Sequence, residues 1–108
     1  MTTSAPVIAV VPGDGIGVDV TDAALAVVDA AVNRLSEAPM TYDYLEAGAA
    51  YFQGAGVDAE PGFDDRVANA DAIFLGAIGL PGIRHEDGTE ISPHLRIREN
   101  LGLYAGIR

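Results

Sequence analysis

The sequence has no cysteine, no lysine and no apolar run near the ~20 residues that a bilayer-spanning helix needs. Each absence excludes a class of chemistry. Without cysteine there are no disulfides and no thiolate metal centres. Without lysine the chain supplies neither a lysine base nor a Schiff base, so any lysine chemistry comes from elsewhere. The opening residues, MTTSAP, lack the basic segment of a secretory signal, and the expected location is cytoplasmic. Positive charge is scarce as well: six basic residues, all arginine, stand against sixteen acids, for a formal net charge of −10. Such a chain repels phosphate backbones, which argues against nucleic acid as a partner. The plain reading of the acids is a solvated surface.

The imbalance is local. After residue 83, Arg84, Arg96, Arg98 and Arg108 are matched by Glu86, Asp87, Glu90 and Glu99, so the excess of acid lies before it. The length of 108 residues suggests one domain or a piece of one. Apolar residues make up 49% of the chain, enough for a core, and a chain of this size buries roughly two-thirds of its unfolded surface.

Val7 to Val11 is continuous and β-branched, the pattern of a fully buried strand. Residues 18 to 35 predict a helix with Val20, Ala24, Val27, Val28, Ala31 and Leu35 on its inner face, and Asp19 and Asp22 in or near the first turn suit its dipole. The Ser36–Pro39 stretch ends it. Residues 40 to 46 predict a second strand. Residues 48 to 54 predict a short helix ended by Gly54 and Gly56, and residues 61 to 69 another, with Pro61 near its first position. Ala72 to Leu75 predicts a third strand. Residues 83 to 90 read as a polar loop. Residues 92 to 100 predict a helix with Ser92 as N-cap and Pro93 at the first position, and residues 103 to 107 a last strand. This alternation argues for a layered α/β fold with a mostly parallel sheet flanked by helices. Ligands in such sheets sit beyond the carboxyl ends of the strands, where two glycine-rich turns fall, 13 to 17 and 76 to 82.

The first turn, Gly13-Asp14-Gly15-Ile16-Gly17, resembles a dinucleotide loop but has Val18 where the fingerprint needs its last glycine. A phosphate loop ending in Gly-Lys is excluded by the lack of lysine, and Asp14 sets a carboxylate where phosphate would approach. A tight structural turn is the better reading. The second turn is either an ordinary loop or a place where a ligand approaches backbone amides. Arg96 and Arg98, two apart on a helix, point in different directions. Arginines brought together by that helix and the following strand can grip a carboxylate by bidentate hydrogen bonds; the alternative is solvated surface arginine. His94, without a second ligand, is not a metal site.

Three stretches are more specific taken together. "VIAVVPGDGIGVDVTDAAL" resembles the opening of the β-decarboxylating dehydrogenases, the family of isopropylmalate, isocitrate, homoisocitrate and tartrate dehydrogenases. "DAIFLGAIGLP" and "LRIRENLGLYAGIR" resemble its next two landmarks, in the same order and spacing. The resemblance implies an isopropylmalate dehydrogenase-like fold, with residues 1–108 as the N-terminal part of a discontinuous first domain that ends near the crossing to the second. It implies NAD- or NADP-dependent oxidation of a small 2-hydroxy di- or tricarboxylic acid, assisted by Mg²⁺ or Mn²⁺, often followed by β-decarboxylation, in a homodimer with no membrane partner. Arg98 and Arg108, ten residues apart as in the family, would clamp the malate-like part of the substrate. Ser92, His94 and Arg96 would be secondary substrate contacts, and Gly76, Ala77, Ile78, Gly79 and Pro81 would lie against the nicotinamide side of the cofactor. Two positions depart from the isopropylmalate pattern. Ile91 replaces a glutamate, and His94 stands where leucines receive the isopropyl group, which implies a more polar hydroxy acid. Gly102 and Gly106 replace an aspartate and an asparagine without removing a chemical role. The family's third substrate arginine, catalytic tyrosine and lysine, metal-holding aspartates and adenine loop all come later in its longer members. These 108 residues alone are therefore expected to be inactive. The rival expectation is a non-catalytic α/β module that only self-associates or binds.

Overall fold

The structure, a computed structural model, describes residues 5–37 and 39–103. Its elements in order are β1 (Val7–Gly13), α1 (Ile16–Arg34), β2 (Thr41–Tyr44), α2 (Ala49–Ala55), α3 (Phe63–Asn69), β3 (Ala72–Ala77) and α4 (Pro93–Asn100). The three strands form one parallel sheet in the order β2-β1-β3. The strand expected over 103–107 and the side chain of Arg108 lie outside the described residues, apart from Leu103, which follows α4 without regular structure.

β1 is central because it alone can be dry on both faces. Ala9, Val10 and Val11 are fully buried, whereas no residue of β2 or β3 is fully buried and each strand leaves some residues exposed. Ala9 and Val11 face a core made with Leu45, Ala47, Phe63 and Val67 of the β2–α3 region and Ile97 of α4. The opposite face of the sheet carries α1. β2 shows the alternation directly, since Tyr42 reaches one layer and Asp43 the other. The Tyr42 hydroxyl donates to Asp29 of α1 at 2.6 Å. That bond to a carboxylate is the main reason its pKa is pushed up to about 12. Asp43 takes a two-pronged hydrogen bond from Arg66 of α3, which holds its carboxyl below the usual carboxylate range.

The inner face of α1 differs from expectation. Gly17, Thr21 and Leu25 are its buried residues, with Ala24, Val28 and Val32 half-buried. Val20, Val27, Ala31 and Leu35 are exposed, Val27 and Leu35 by about 70%. The reason is close approach. A Cβ at Gly17 would sit 2.2 Å from the Pro12 carbonyl oxygen, and one at Gly76 would sit 2.3 Å from the same oxygen and 2.7 Å from the Thr21 hydroxyl. The helix meets β3 along its smallest residues, and its bulkier apolar stripe turns outward.

Other boundaries move by a few residues. α1 starts at Ile16 and ends at Arg34, followed by Ser36 in a left-handed conformation (φ 56°). Gly54 lies inside α2, and the left-handed Gly56 ends that helix. α3 is capped by Gly62 rather than led by Pro61, with Asp64 and Asp65 in its first turn. Gly76 and Ala77, assigned by pattern to a turn, are the last residues of β3.

Candidate active site at the carboxyl ends of the strands

Chain order and sheet order place the topological switch between β1 and β3, since β1 leads through α1 to one neighbour and the chain returns on the other side. The two glycine-rich turns meet there. The Asp14 amide donates to the Ala77 carbonyl at 2.6 Å. Asp14 is only 3% exposed, yet no arginine or histidine among the described residues pairs with it. Its carboxylate is satisfied by backbone: Oδ2 accepts from the amides of Ala49 (2.8 Å) and Gly79 (2.8 Å), and Oδ1 from Ala50 (2.9 Å). The first turn is thus a structural turn holding an internal anion. Sequence reasoning saw Asp14 as an obstacle to phosphate and missed this role. The available signal was a lone carboxylate among glycines in a stretch with no cation beside it.

The five residues expected on the cofactor side divide into two groups. Gly76 and Ala77 are used internally, Gly76 in the contact with α1 and Ala77 through its carbonyl. Ile78 packs partly against the core. Gly79 and Pro81 are exposed, and nothing lies within 4 Å of a Cβ built at Gly79. With Leu80, Ile83 and Ile91 they border a hollow of about 220 Å³, whose rim carries the Arg84–Glu90 pair at 3.3 Å. A larger cleft of about 370 Å³ lies on the β2 side, among Pro12, Leu45, Glu46, Ala47 and Tyr51. It contains none of the expected site residues.

Helix α4 presents the polar residues. Ser92 occupies the N-cap position and Pro93 the first turn, as expected, but the Ser92 hydroxyl does not cap; it makes a long 3.4 Å bond to the Glu90 carbonyl. Arg96 is engaged by two carboxylates. It donates to Asp64 at 3.1 and 3.0 Å and to Asp58 at 2.5 Å, which tie α4 to the loop and helix before β3. Those bonds, Asp58 first, raise its pKa further. Arg98 is exposed, has no acidic partner among the described residues, and borders an open hollow of about 440 Å³ with Leu95, Glu99 and Leu103. His94 lies one helical turn before it, on the same face. Its Nδ1 is buried and has no hydrogen-bond partner among the described residues. The structure therefore brings His94 and Arg98 together and sends Arg96 elsewhere.

Burial first, and the Arg98 charge second, lower the His94 pKa, with Glu90 opposing. A proton titration by NMR should give a His94 midpoint below that of an ordinary histidine, moved upward in Arg98→Gln. An unshifted midpoint would contradict the burial. The sign for stability follows: the unfolded histidine binds its proton first, so stability falls as pH drops below about 6.5 and levels off beneath the folded midpoint.

Among the described residues no group of three or more histidine or carboxylate side chains converges in a way that could hold a metal ion. The carboxylates near the site are committed to amides and arginines, so this donor set does not fit Mg²⁺ or Mn²⁺, which need several converging oxygens. No helix is long and apolar enough to cross a membrane among the described residues.

Comparison with known proteins bears on the family and the fold. The isocitrate/isopropylmalate dehydrogenase family model matches residues 7–108. The 3-isopropylmalate dehydrogenase of Streptococcus mutans is 42% identical over 106 residues, covering 89% of this chain and 28% of its own length. That of Halalkalibacterium halodurans is 38% identical over 110 residues, covering 94% and 28%. The structure is similar to that of a β-decarboxylating dehydrogenase from Thermococcus kodakarensis in its apo form, with a TM-score of 0.72 and 32% identity over 92% of this chain and 27% of the other. The chain thus spans a little over a quarter of the length of the relatives it matches. With the matched stretch running from β1 past α4 and the fold agreeing, the chain belongs to the isocitrate/isopropylmalate dehydrogenase family.

Proposed function

We propose that this chain forms the first part of the discontinuous first domain of an NAD(P)-dependent dehydrogenase that oxidises a 2-hydroxy di- or tricarboxylic acid. One observation carries the reading: on α4, Arg98 stands exposed and without an acidic partner among the described residues, in a chain of net charge −10, while its neighbour Arg96 is engaged by two acids. A guanidinium left open beside a hollow is a receptor for a carboxylate, which it meets with two parallel hydrogen bonds. Arg108 is the second arm of this clamp. His94, whose pKa is lowered by burial and by the Arg98 charge and whose Nδ1 has no partner among the described residues, favours a polar substituent on the substrate over an isopropyl group.

The open face of the second turn, at Gly79 and Pro81, fits a flat uncharged group. A bound nicotinamide would supply hydride acceptance there. The chain's own part is to hold the acid by Arg98 and Arg108, orient it by His94, and keep the turn fixed. No step is assigned to Mg²⁺ or Mn²⁺ through the described residues; the divalent ion and the proton-accepting base belong to the remainder of the complete enzyme, a cytoplasmic homodimer on this reading. The test is formation of reduced nicotinamide by the complete protein carrying this stretch, with isopropylmalate, isocitrate and tartrate, NAD or NADP, and Mn²⁺. Silence with every acid and both cofactors overturns the proposal. These 108 residues alone should not turn over, and one measured turnover by them would refute that part.

A second reading has its own observation. Ile16, Val20 and Val27 of α1, with Leu35 just beyond its end, form an apolar stripe left exposed by the described residues, as expected of a module that self-associates. Light scattering after size exclusion reports on it directly.

A further inference from the structure

We infer that Asp14 is the positioning residue of the cofactor-side wall: its carboxylate sets the second glycine-rich turn against the start of α2 and uses the Gly79 amide, so that the turn offers its ligand an uncharged surface. The observation is a single side chain joining three distant parts of the chain. It lies in the β1–α1 turn, and its two oxygens accept from Ala49, Ala50 and Gly79 within 2.8–2.9 Å. The fit is close. A Cβ at Gly48 would lie 2.7 Å from Asp14 Oδ2, so α2 reaches the carboxylate only because that position is glycine.

The group is stable as a set. Hydrogen bonds to an ionised acceptor are roughly twice as strong as neutral ones. The Ala49 amide, which is buried, bears a desolvation cost when it loses its acceptor, and the part-buried bonds from Ala50 and Gly79 share the same carboxylate. Gly79 itself has little else to hold it: it is exposed, its φ is 126°, and no atom packs where its Cβ would be. The height of the turn relative to β1 is therefore set from beneath by Asp14. A phosphate approaching the Gly79 amide would find its N–H already donated to the Asp14 carboxylate 2.8 Å away, an unfavourable like-charge contact. A ligand reaches this turn with an uncharged part. On the dehydrogenase reading, on which this last identification rests, that part is the nicotinamide end of the cofactor and the pyrophosphate lies elsewhere.

The test uses isotope-labelled chain in solution. Scalar couplings across hydrogen bonds should connect the Asp14 carboxyl carbon with the amide nitrogens of Ala49, Ala50 and Gly79, a measurement that needs no variant. In Asp14→Asn, exchange of those three amides should rise together by ~10-fold or more while the central β1 amides of Val10 and Val11 keep their rates. Inorganic pyrophosphate added to the wild type should leave the Gly79 amide resonance unmoved. Missing couplings, a Gly79 amide that exchanges in the wild type as if free, or a pyrophosphate-dependent shift at Gly79 would each overturn the inference. In the complete enzyme, Asp14→Asn should raise the cofactor KM by ~10-fold with kcat changed by less than ~3-fold, and an unchanged KM would refute the positioning role. If the wild type shows no turnover while the amide results hold, the dehydrogenase reading fails and the role of Asp14 in the fold stands.

Discussion

Gly76→Ala is expected to destabilise the fold by about 3 kcal/mol or more, the upper range for overpacking, and Gly54→Ala to stabilise it by about 0.5–1 kcal/mol. The same methyl group is added in both. At Gly76 it would meet the Pro12 carbonyl oxygen at 2.3 Å, the Thr21 hydroxyl at 2.7 Å and the Gly17 carbonyl oxygen at 2.8 Å. Two of the three are backbone, held by β1 and by the first turn of α1, so neither can step aside without moving an element. At Gly54, inside α2, nothing lies within 4 Å of the added carbon, and alanine lowers the entropy of the unfolded chain. Small domains have only about 5–15 kcal/mol of total stability, so the first change takes a large share of what holds the sheet to α1. Urea denaturation of both variants decides it. A Gly76→Ala midpoint within error of wild type would mean that α1 is not seated on β3 as described.

That seam also shows what the sequence could and could not tell. β1, β3 and α4 were legible because their signals are local: a β-branched run, a second apolar run, and a serine followed by proline at a helix start. The parallel order followed from the alternation of strands and helices. The inner face of α1 was only partly legible: Ala24 and Val28 of the expected face are half-buried, but periodicity weights large apolar side chains, and alongside Leu25 this helix is seated by the small Gly17 and Thr21. Nothing within the helix says that a carbonyl of Pro12 and the backbone of Gly76 will crowd that face. The site divides the same way. That Arg96 and Arg98 diverge follows from helical geometry. That Arg96 is the one engaged depends on Asp58 and Asp64, more than thirty residues away in sequence, and only the folded chain brings them together. Asp14 was visible as an oddity, but the three amides it accepts from come from two other segments, and amides leave no trace in a sequence.

The two arginines of α4 therefore make a sharp pair of predictions. Arg98→Gln should leave the denaturation midpoint of the chain unchanged, because its guanidinium is exposed and has no acidic partner among the described residues. In the complete enzyme the same change should raise the KM for the hydroxy acid by ~100-fold or more, the loss expected when one arm of a two-arginine carboxylate clamp is removed. Lysine at 98 should recover charge but little of the affinity, since a point charge does not supply two parallel donors. Arg96→Gln should do the reverse. It removes three donated bonds to Asp58 and Asp64 and leaves two carboxylates close together without their cation, at a cost of about 1–2 kcal/mol after allowing for the partial exposure of the group. Its effect on the KM of the acid should be small, because its guanidinium turns toward α3 and away from the His94–Arg98 face. If instead Arg96→Gln abolished substrate binding at unchanged stability and Arg98→Gln did not, the clamp would have to be rebuilt on Arg96. The Asp58–Asp64 cluster would then be a resting state that substrate displaces. Measuring midpoint and KM for both variants separates a side chain that holds α4 in place from one that holds the ligand.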